Sequence, residues 1–276
     1  MKSLRHDHLV GEKLIMTRSQ THTLTPDQIE EDRHWWFASR TRALLGMLDR
    51  CVPDDDLRIL DVGCGAGNMI HHLSRYGEVK GIEMDPRPLA VARQRGYDAQ
   101  LADAAKEIPF EEGTFDLVAV LDVIEHNEDD LGILRECHRV LKPGRLVVIT
   151  VPAFQWLWSY NDVINAHLRR YTAGGLAAKL KQVGFGVRRM TYNNFFVFPM
   201  AIGLILSRRG TGREPQLASH HLQQDEYQVE MEPVPPLVNA VLSGVGWMEA
   251  NLLKWVDLPV GTSIICIGEK RAMGLL

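Results

Sequence analysis

Cysteine is scarce: the chain holds 4 in 276 residues, Cys51, Cys64, Cys137 and Cys266, and no two form a C-x-x-C pair. That spacing excludes the usual zinc-binding and redox-switch signatures and leaves reduced thiols as the expectation. Long hydrophobic runs are also missing. No apolar stretch reaches the roughly 18 to 20 residues a membrane-spanning helix needs. The opening MKSLRHDH has none of the apolar segment of a signal peptide, so a cytoplasmic location is expected. Charge of one sign is lacking too: 31 Lys and Arg against 35 Asp and Glu leave a net charge of -4, which argues against nucleic acid as a partner. What the chain does have is 45% hydrophobic and 24% charged residues, enough for a sizeable core in one large domain with an appendage.

Residues 1–24 are polar and without sustained period, which predicts a mobile N-terminal arm. Thr25-Pro26-Asp27-Gln28 reads as a helix start, with a cap, a proline at the first position and a glutamine three residues after the cap. A helical cover is expected over 25–50. From Leu57 short apolar runs alternate with helix-length segments: RILDV, VKGIEM, DAQLA, FDLVAVL and RLVVITV as strands, with helices between. Gly77 is expected to end the first of these helices, MIHHLSRY; Asp85 with Pro86 starts one, Asn127 caps another and Thr172 a further one. Such alternation implies an α/β fold with a parallel sheet and helices on both faces. Strand-like runs also occur near 187–192 and 262–268, about seventy residues apart, too far for a simple turn. Residues 194–261 are therefore read as a helical insertion forming a substrate cap, and 51–193 with 262–276 as the core.

The strand-loop-helix unit at Leu60 to Ile70 contains Asp61-Val-Gly63-Cys-Gly65-Ala-Gly67. Glycines allow sharp turning and close approach of backbone to a ligand. A dinucleotide fingerprint, G-x-G-x-x-G, would need a third glycine at position 68, which is Asn68. A nicotinamide oxidoreductase is disfavoured on that ground. An acid about 20 positions after the first glycine can bond both ribose hydroxyls, and Glu83 meets that spacing.

The segments LDVGCGAGN, GIEMD, LADAAKEIPF, FDLVAVLDVIEH and LKPGRLVVITVP, in that order, resemble the class I S-adenosylmethionine-dependent methyltransferases of small-molecule type. The resemblance covers roughly 57–192 and 262–271. It implies a Rossmann-like, mostly parallel seven-stranded sheet with a helical insertion before the last strand, and S-adenosylmethionine as cofactor. Gly63, Gly65 and Gly67 would pass under the methionine part. Glu83, with Met84 beside it, would hold the ribose, Asp103 and Ala104 would flank the adenine, and Leu121 would touch the methionine portion through its backbone. Asp61 would meet the amino group or cap its strand. The string His34-Trp35-Trp36-Phe37-Ala-Ser-Arg40-Thr-Arg42 resembles a segment upstream of the glycine loop in some of these enzymes. There an arginine can pair with the cofactor carboxylate, and Arg42 is preferred over Arg40.

Methyl transfer from a sulfonium is an in-line displacement that needs alignment and dryness more than a covalent intermediate. A hydroxyl acceptor would gain from a base, and His126 stands just past the fourth strand. Its string, Asp122-Val-Ile-Glu125-His126, is similar to a signature of quinone-biosynthesis O-methyltransferases in which two acids and the histidine can hold a divalent metal. It departs by carrying Asp122 at the first acid position, and no metal is expected. His167 and Tyr171 are further catalytic candidates, and Trp36, Trp156, Trp158, Tyr160 and Arg170 are candidate substrate contacts. The apolar block 195–206, followed by Ser207-Arg208-Arg209, favours a lipophilic small-molecule acceptor and allows peripheral contact with a membrane. O-methylation is expected first and C-methylation second, with a catalytically silent cofactor-binding scaffold or sensor as the alternative. The oligomeric state is left open.

Overall fold

The computed structural model describes residues 30–52, 56–211 and 234–271. The arm at 1–24 and the helix start at Thr25 lie outside the described residues. A short 3-10 turn, Glu30–Arg33, leads into helix α1, Trp35–Cys51, where the His34 side chain accepts from the Trp36 N–H and caps the helix. Strands β1 (Leu57–Val62), β2 (Gly77–Glu83), β3 (Ala99–Leu101), β4 (Phe115–Leu121) and β5 (Leu141–Pro152) follow in order. Helices α2 (Asn68–Leu73), α3 (Pro86–Gln94) and α4 (Asp130–Val140) connect them. Then come α5 (Tyr160–Ile164), α6 (Ala173–Gln182), β6 (Phe185–Asn193), α7 (Phe198–Thr211), α8 (Pro236–Leu253) and β7 (Ser263–Lys270).

The seven strands lie in the order β3-β2-β1-β4-β5-β7-β6. The first five are parallel, while β7 enters antiparallel between β5 and β6. The expected fold class is therefore the observed one. Alternate residues of the central strands face opposite layers, as the two-residue period requires. Ile59, Leu117, Val148 and Ile265 pack with Leu44, Met47 and Leu48 of α1 and with Ala250 and Leu253 of α8. Leu60, Val118, Val147 and Ile264 pack against Ile133, Leu134 and Cys137 of α4 and Leu176 and Leu180 of α6. Each fully buried aliphatic side chain here contributes roughly 1.5–3 kcal/mol.

Local details depart from the sequence reading in physical ways. Helix α2 ends at Leu73 rather than at Gly77, which opens β2; a Cβ there would sit 2.1 Å from the Leu57 carbonyl oxygen. Asp129, not Asn127, caps α4 by accepting from the Gly132 N–H, while Asn127 accepts from the Asp129 N–H. Asp85 and Thr172 cap α3 and α6 as expected.

Between β6 and β7 the chain forms α7 and α8. The second of these lies along α1: Asn239 accepts from the Trp35 N–H and donates to the Arg33 carbonyl. At the crossing a Cβ on Gly246 would fall 1.8 Å from Ser39 Oγ, so only glycine permits this approach. Where α8 nears its end, the buried Glu249 carboxylate accepts from the N–H groups of Phe195 and Phe196, just ahead of α7.

Candidate functional site

The strand order reverses between β1 and β4, and ligands of open α/β sheets bind beyond the carboxyl ends of strands at such a point. Here the chain turns through Gly63, Gly65 and Gly67, with φ of 69°, 55° and 84°, the left-handed region that glycine tolerates. A Cβ on Gly63 would strike Val123 and one on Gly67 the Tyr97 ring, whereas at Gly65 it would meet nothing within 4 Å. Arg95 fixes the loop from behind, donating to the Ala66 carbonyl and to Asn68 Oδ1.

A cavity of ≈ 130 Å³ opens above this loop, walled by Phe37 and Arg40 of α1, Asp61, Gly63, Gly65, Met69 and Leu121. Its size is below the ~300 Å³ of a typical small-molecule pocket, so it can enclose one end of a nucleoside-amino acid ligand. A larger hollow of ≈ 290 Å³, lined by Arg50, Leu57 and Asp116, lies at the amino ends of β1 and β4, at the other end of the strands from the glycine loop. No group poised for chemistry lines it.

Asp61 is 2% exposed and its Oδ2 has no hydrogen-bond partner. Burial pushes its carboxyl up to about 7, with Glu83 adding to the rise and Arg40 opposing it. Glu83 spans the loop, accepting from the Gly65 N–H at 3.0 Å and the Asp85 N–H at 2.8 Å. Arg40 Nη1 donates to Asp122 Oδ2, and Asp122, held at φ 54°, also accepts from Thr150 Oγ1. A buried carboxylate with one unpartnered oxygen, a nearby guanidinium and an open glycine turn fit the ammonium, carboxylate and backbone contacts of S-adenosylmethionine.

Arg42, the preferred arginine, is exposed on α1 and does not line the cavity; Arg40 does. The reason is helical phase, since position 40 shares its face with Phe37, Leu44 and Met47. Trp36 stacks edge-on against Trp35 and is likewise absent from the wall, where Phe37 stands. Met84 is 64% exposed. Asp103 caps its own turn, accepting from the Ala105 N–H and pairing with Lys106, and Ala104 packs against the α4 side of the core. Leu121 lines the cavity.

Past β4 a second group of side chains gathers. Glu125 is fully buried and neither carboxylate oxygen has a partner; burial pushes it up to about 8. The His126 and His167 rings meet edge to face at 4.8 Å. Loss of solvation and then the His167 ring hold His126 below the ordinary histidine value. His167 Nδ1 lies 2.9 Å from Asp162 Oδ1, and the Arg170 guanidinium donates to both oxygens of the same buried carboxylate. Among the described residues, Glu125, His126 and His167 present ligand atoms within 4.8 Å of one another, so this trio could hold a metal ion.

Other expected contacts resolve differently. Arg170 is committed to Asp162 and to the Ala153 carbonyl, which makes it an anchor of the 153–170 loop. The Tyr171 hydroxyl is buried and donates to Asp130, where burial and that bond push it far above the usual phenol range, so it is unsuited to proton transfer. Trp156 is half exposed and stacks with Phe154, itself stacked on Tyr192. Trp158 and Tyr160 are half-buried at the start of α5 and lie outside the cavity wall. Sequence reasoning passed over Phe37, Asp162 and Arg95; Asp162 had a visible signal in the S-x-x-D capping pattern with Ser159.

Residues 60–149 match the family described as "Methyltransferase domain". The matched segment runs from β1 to β5 and holds the glycine turn, so this part of the chain is similar to a methyltransferase domain. In sequence, the chain is similar to ubiquinone biosynthesis O-methyltransferase of Pseudomonas aeruginosa (strain LESB58), 36% identical over 100 residues, which cover 34% of this chain and 43% of that protein. The protein of the same name from Colwellia psychrerythraea (strain 34H / ATCC BAA-681) is 34% identical over 131 residues, 45% of this chain and 48% of that one. The match thus spans about half the length of these curated relatives. Among solved structures, the cyclase SpnF is similar with a TM-score of 0.54 at 22% identity, covering 86% of this chain and 83% of that one. A putative sarcosine dimethylglycine methyltransferase from Galdieria sulphuraria gives 0.54 at 18% identity over 85% and 86%. At these identities the structural likeness speaks for the fold and not for an acceptor.

Proposed function

We propose that the chain transfers a methyl group from S-adenosylmethionine to a small, lipophilic acceptor, at oxygen before carbon. The observation that carries this reading is the cavity itself, where the buried Asp61 carboxylate, its Oδ2 unpartnered, and the Arg40 guanidinium flank the glycine turn. The bound cofactor would supply an electrophilic sulfonium methyl. Asp61 would take its ammonium, Arg40 its carboxylate by exchanging from Asp122, and Glu83 its ribose hydroxyls.

The proton of a hydroxyl acceptor would pass to the histidine pair beyond β4. His126, which burial pushes down to about 4, is unprotonated at neutral pH but a weak base, so it would take the proton only as the methyl is transferred. His167 is oriented by Asp162 through Nδ1, which leaves Nε2 for the acceptor side. Arg40 links the two places, because its charge acts on both Asp61 and Glu125. The aromatic cluster Phe154, Trp156, Tyr192 and Phe198 beside the loop supports an apolar acceptor. The O-methyltransferase names of the sequence relatives support oxygen as the atom methylated.

Calorimetric titration with S-adenosylhomocysteine, run in parallel with NADH, tests the reading. Binding of the first alone is expected, weakened at least about tenfold in Glu83→Ala as two charge-assisted bonds are removed. Glu83→Gln, which retains an acceptor for the Gly65 N–H, separates ribose binding from loop collapse. Absence of binding to a folded protein would overturn the proposal.

A further inference from the structure

Glu125 is fully buried, and among the described residues neither oxygen of its carboxyl group has a hydrogen-bond partner. A group of that kind is costly to leave unmatched, and the methyl transfer described above gives it no task. It stands in the 3-10 turn Ile124–His126 that follows β4, beside the rings of His126 and His167.

The signature that this stretch resembles would hold a cation with Asp122, Glu125 and His126. That set does not fit here. Asp122 is taken by Arg40 and by Thr150 Oγ1, with its backbone in the left-handed region at φ 54°. The third group comes instead from His167, on the loop after α5. Loop and turn are tied together: the Leu168 N–H donates to the Glu125 carbonyl, and the His126 ring donates to backbone carbonyls at Asn165 and Ala166. Ala166 itself takes φ of 53°, strain of a kind that gathers at functional sites.

His167 Nδ1 lies 2.9 Å from Asp162 Oδ1, so Nε2 is the nitrogen left for a ligand. An oxygen acceptor behind the imidazole is the usual device that orients a metal-binding histidine and makes it a better donor to the ion. The ligand atoms of Glu125, His126 and His167 lie within 4.8 Å of one another. Zinc, at roughly 2.0–2.2 Å from each ligand, would set them about 3.3–3.6 Å apart, so a closure of about 1.5 Å or less completes the set. His126 reaches the surface and gives the ion an entry. Two imidazoles with one carboxylate suit zinc, cobalt(II) or nickel(II), whereas magnesium prefers oxygen ligands.

We propose that Glu125, His126 and His167 form a binding site for a divalent transition-metal ion, zinc first, with three protein ligands and an open fourth position. The ion would occupy the imidazole lone pairs that otherwise take the acceptor's proton, so zinc would inhibit transfer to a hydroxyl. That consequence rests on the function proposed above, whereas the binding does not.

Calorimetric titration of the chelator-stripped full chain with zinc chloride tests it. One ion per chain is expected, with magnesium chloride not bound, and cobalt(II) in place of zinc should give the visible absorption of a four- or five-coordinate site. Glu125→Gln and His126→Ala should each weaken zinc binding at least about a hundredfold, and Asp162→Asn, acting through His167, about tenfold to a hundredfold. Asp122→Asn should leave it unchanged. His126→Ala removes an exposed ring, so it keeps the test valid should Glu125→Gln fail to fold. No zinc binding to the folded wild-type chain would overturn the proposal. So would wild-type affinity in His126→Ala, or a loss in Asp122→Asn as large as that in the ligand variants. The cofactor takes no part in the zinc titration, so its failure is distinguishable from failure of S-adenosylhomocysteine to bind.

Discussion

Replacing Asp162 by asparagine should destabilise the protein, and the loss should depend on pH. The carboxylate is fully buried and holds the 153–170 loop together, taking hydrogen bonds from the Ser159 N–H and from Arg170 and facing His167 Nδ1. Burial alone would raise its pKa, but the bonds to His167 and Arg170 outweigh it and bring the group from 3.8 down to about 2. At about 1.4 kcal/mol per pH unit, that depression is worth about 2.5 kcal/mol of folding stability. Because the folded pKa is the lower one, the contribution is complete above the unfolded value and disappears as pH falls through the folded one. About half of it should be gone by pH 3. Removing one partner of a buried ion pair typically costs about 3–5 kcal/mol; asparagine keeps an acceptor, which brings the expected loss back to about 2–3 kcal/mol. That corresponds to a melting temperature lower by about 3–5 °C at pH 7. Urea titrations of wild type and Asp162→Asn at pH 7 and pH 3 read the difference. A gap equal at the two pH values, or below about 0.5 kcal/mol at pH 7, would refute the reasoning.

Asp61→Asn should do the opposite to the ligand-free protein. The raised pKa means that ionising this carboxyl costs stability above its unfolded value, fully so above about 7, so urea titration at pH 8 should find the variant more stable by about 2–4 kcal/mol. Its S-adenosylhomocysteine affinity should be lower and flat between pH 6 and pH 8, where wild-type affinity rises; a rise retained in the variant would remove Asp61 from the site. Arg40→Ala should weaken the same binding at least about tenfold, while Arg42→Ala, on the exposed face of α1, should leave it within about twofold. The reverse order in calorimetry would restore Arg42 as the cofactor arginine.

The sheet was legible because its strands are buried on both sides and read as runs of Val, Ile and Leu, and because Gly63, Gly65 and Gly67 mark the turn after β1. The glycines and Glu83 were legible as a group through spacing alone. What the spacing could not give was which of two neighbouring arginines faces inward, a question of helical phase measured from Leu44 and Met47. Nor could it show that Arg170 and Tyr171, polar residues in a loop, are turned away to buried carboxylates, Asp162 and Asp130. Such pairs form between segments distant in sequence or across a turn, and no local period encodes them. The apolar character of 195–206 was plain in the sequence, but its exposure was not, since core packing and an outward face share one composition.

The position of β7 also governs when the domain can close during synthesis. Strand β6 has β7 as its hydrogen-bonded neighbour, and β5 completes its second edge only with β7. Until residues 263–270 leave the ribosome, a nascent chain already holding the glycine turn and its cofactor residues has a gap in its sheet with two unpaired edges. Open edges of that kind recruit other strands. A chain cut short anywhere in α7 or α8 would keep nearly every residue of the site and still be the species most prone to aggregate.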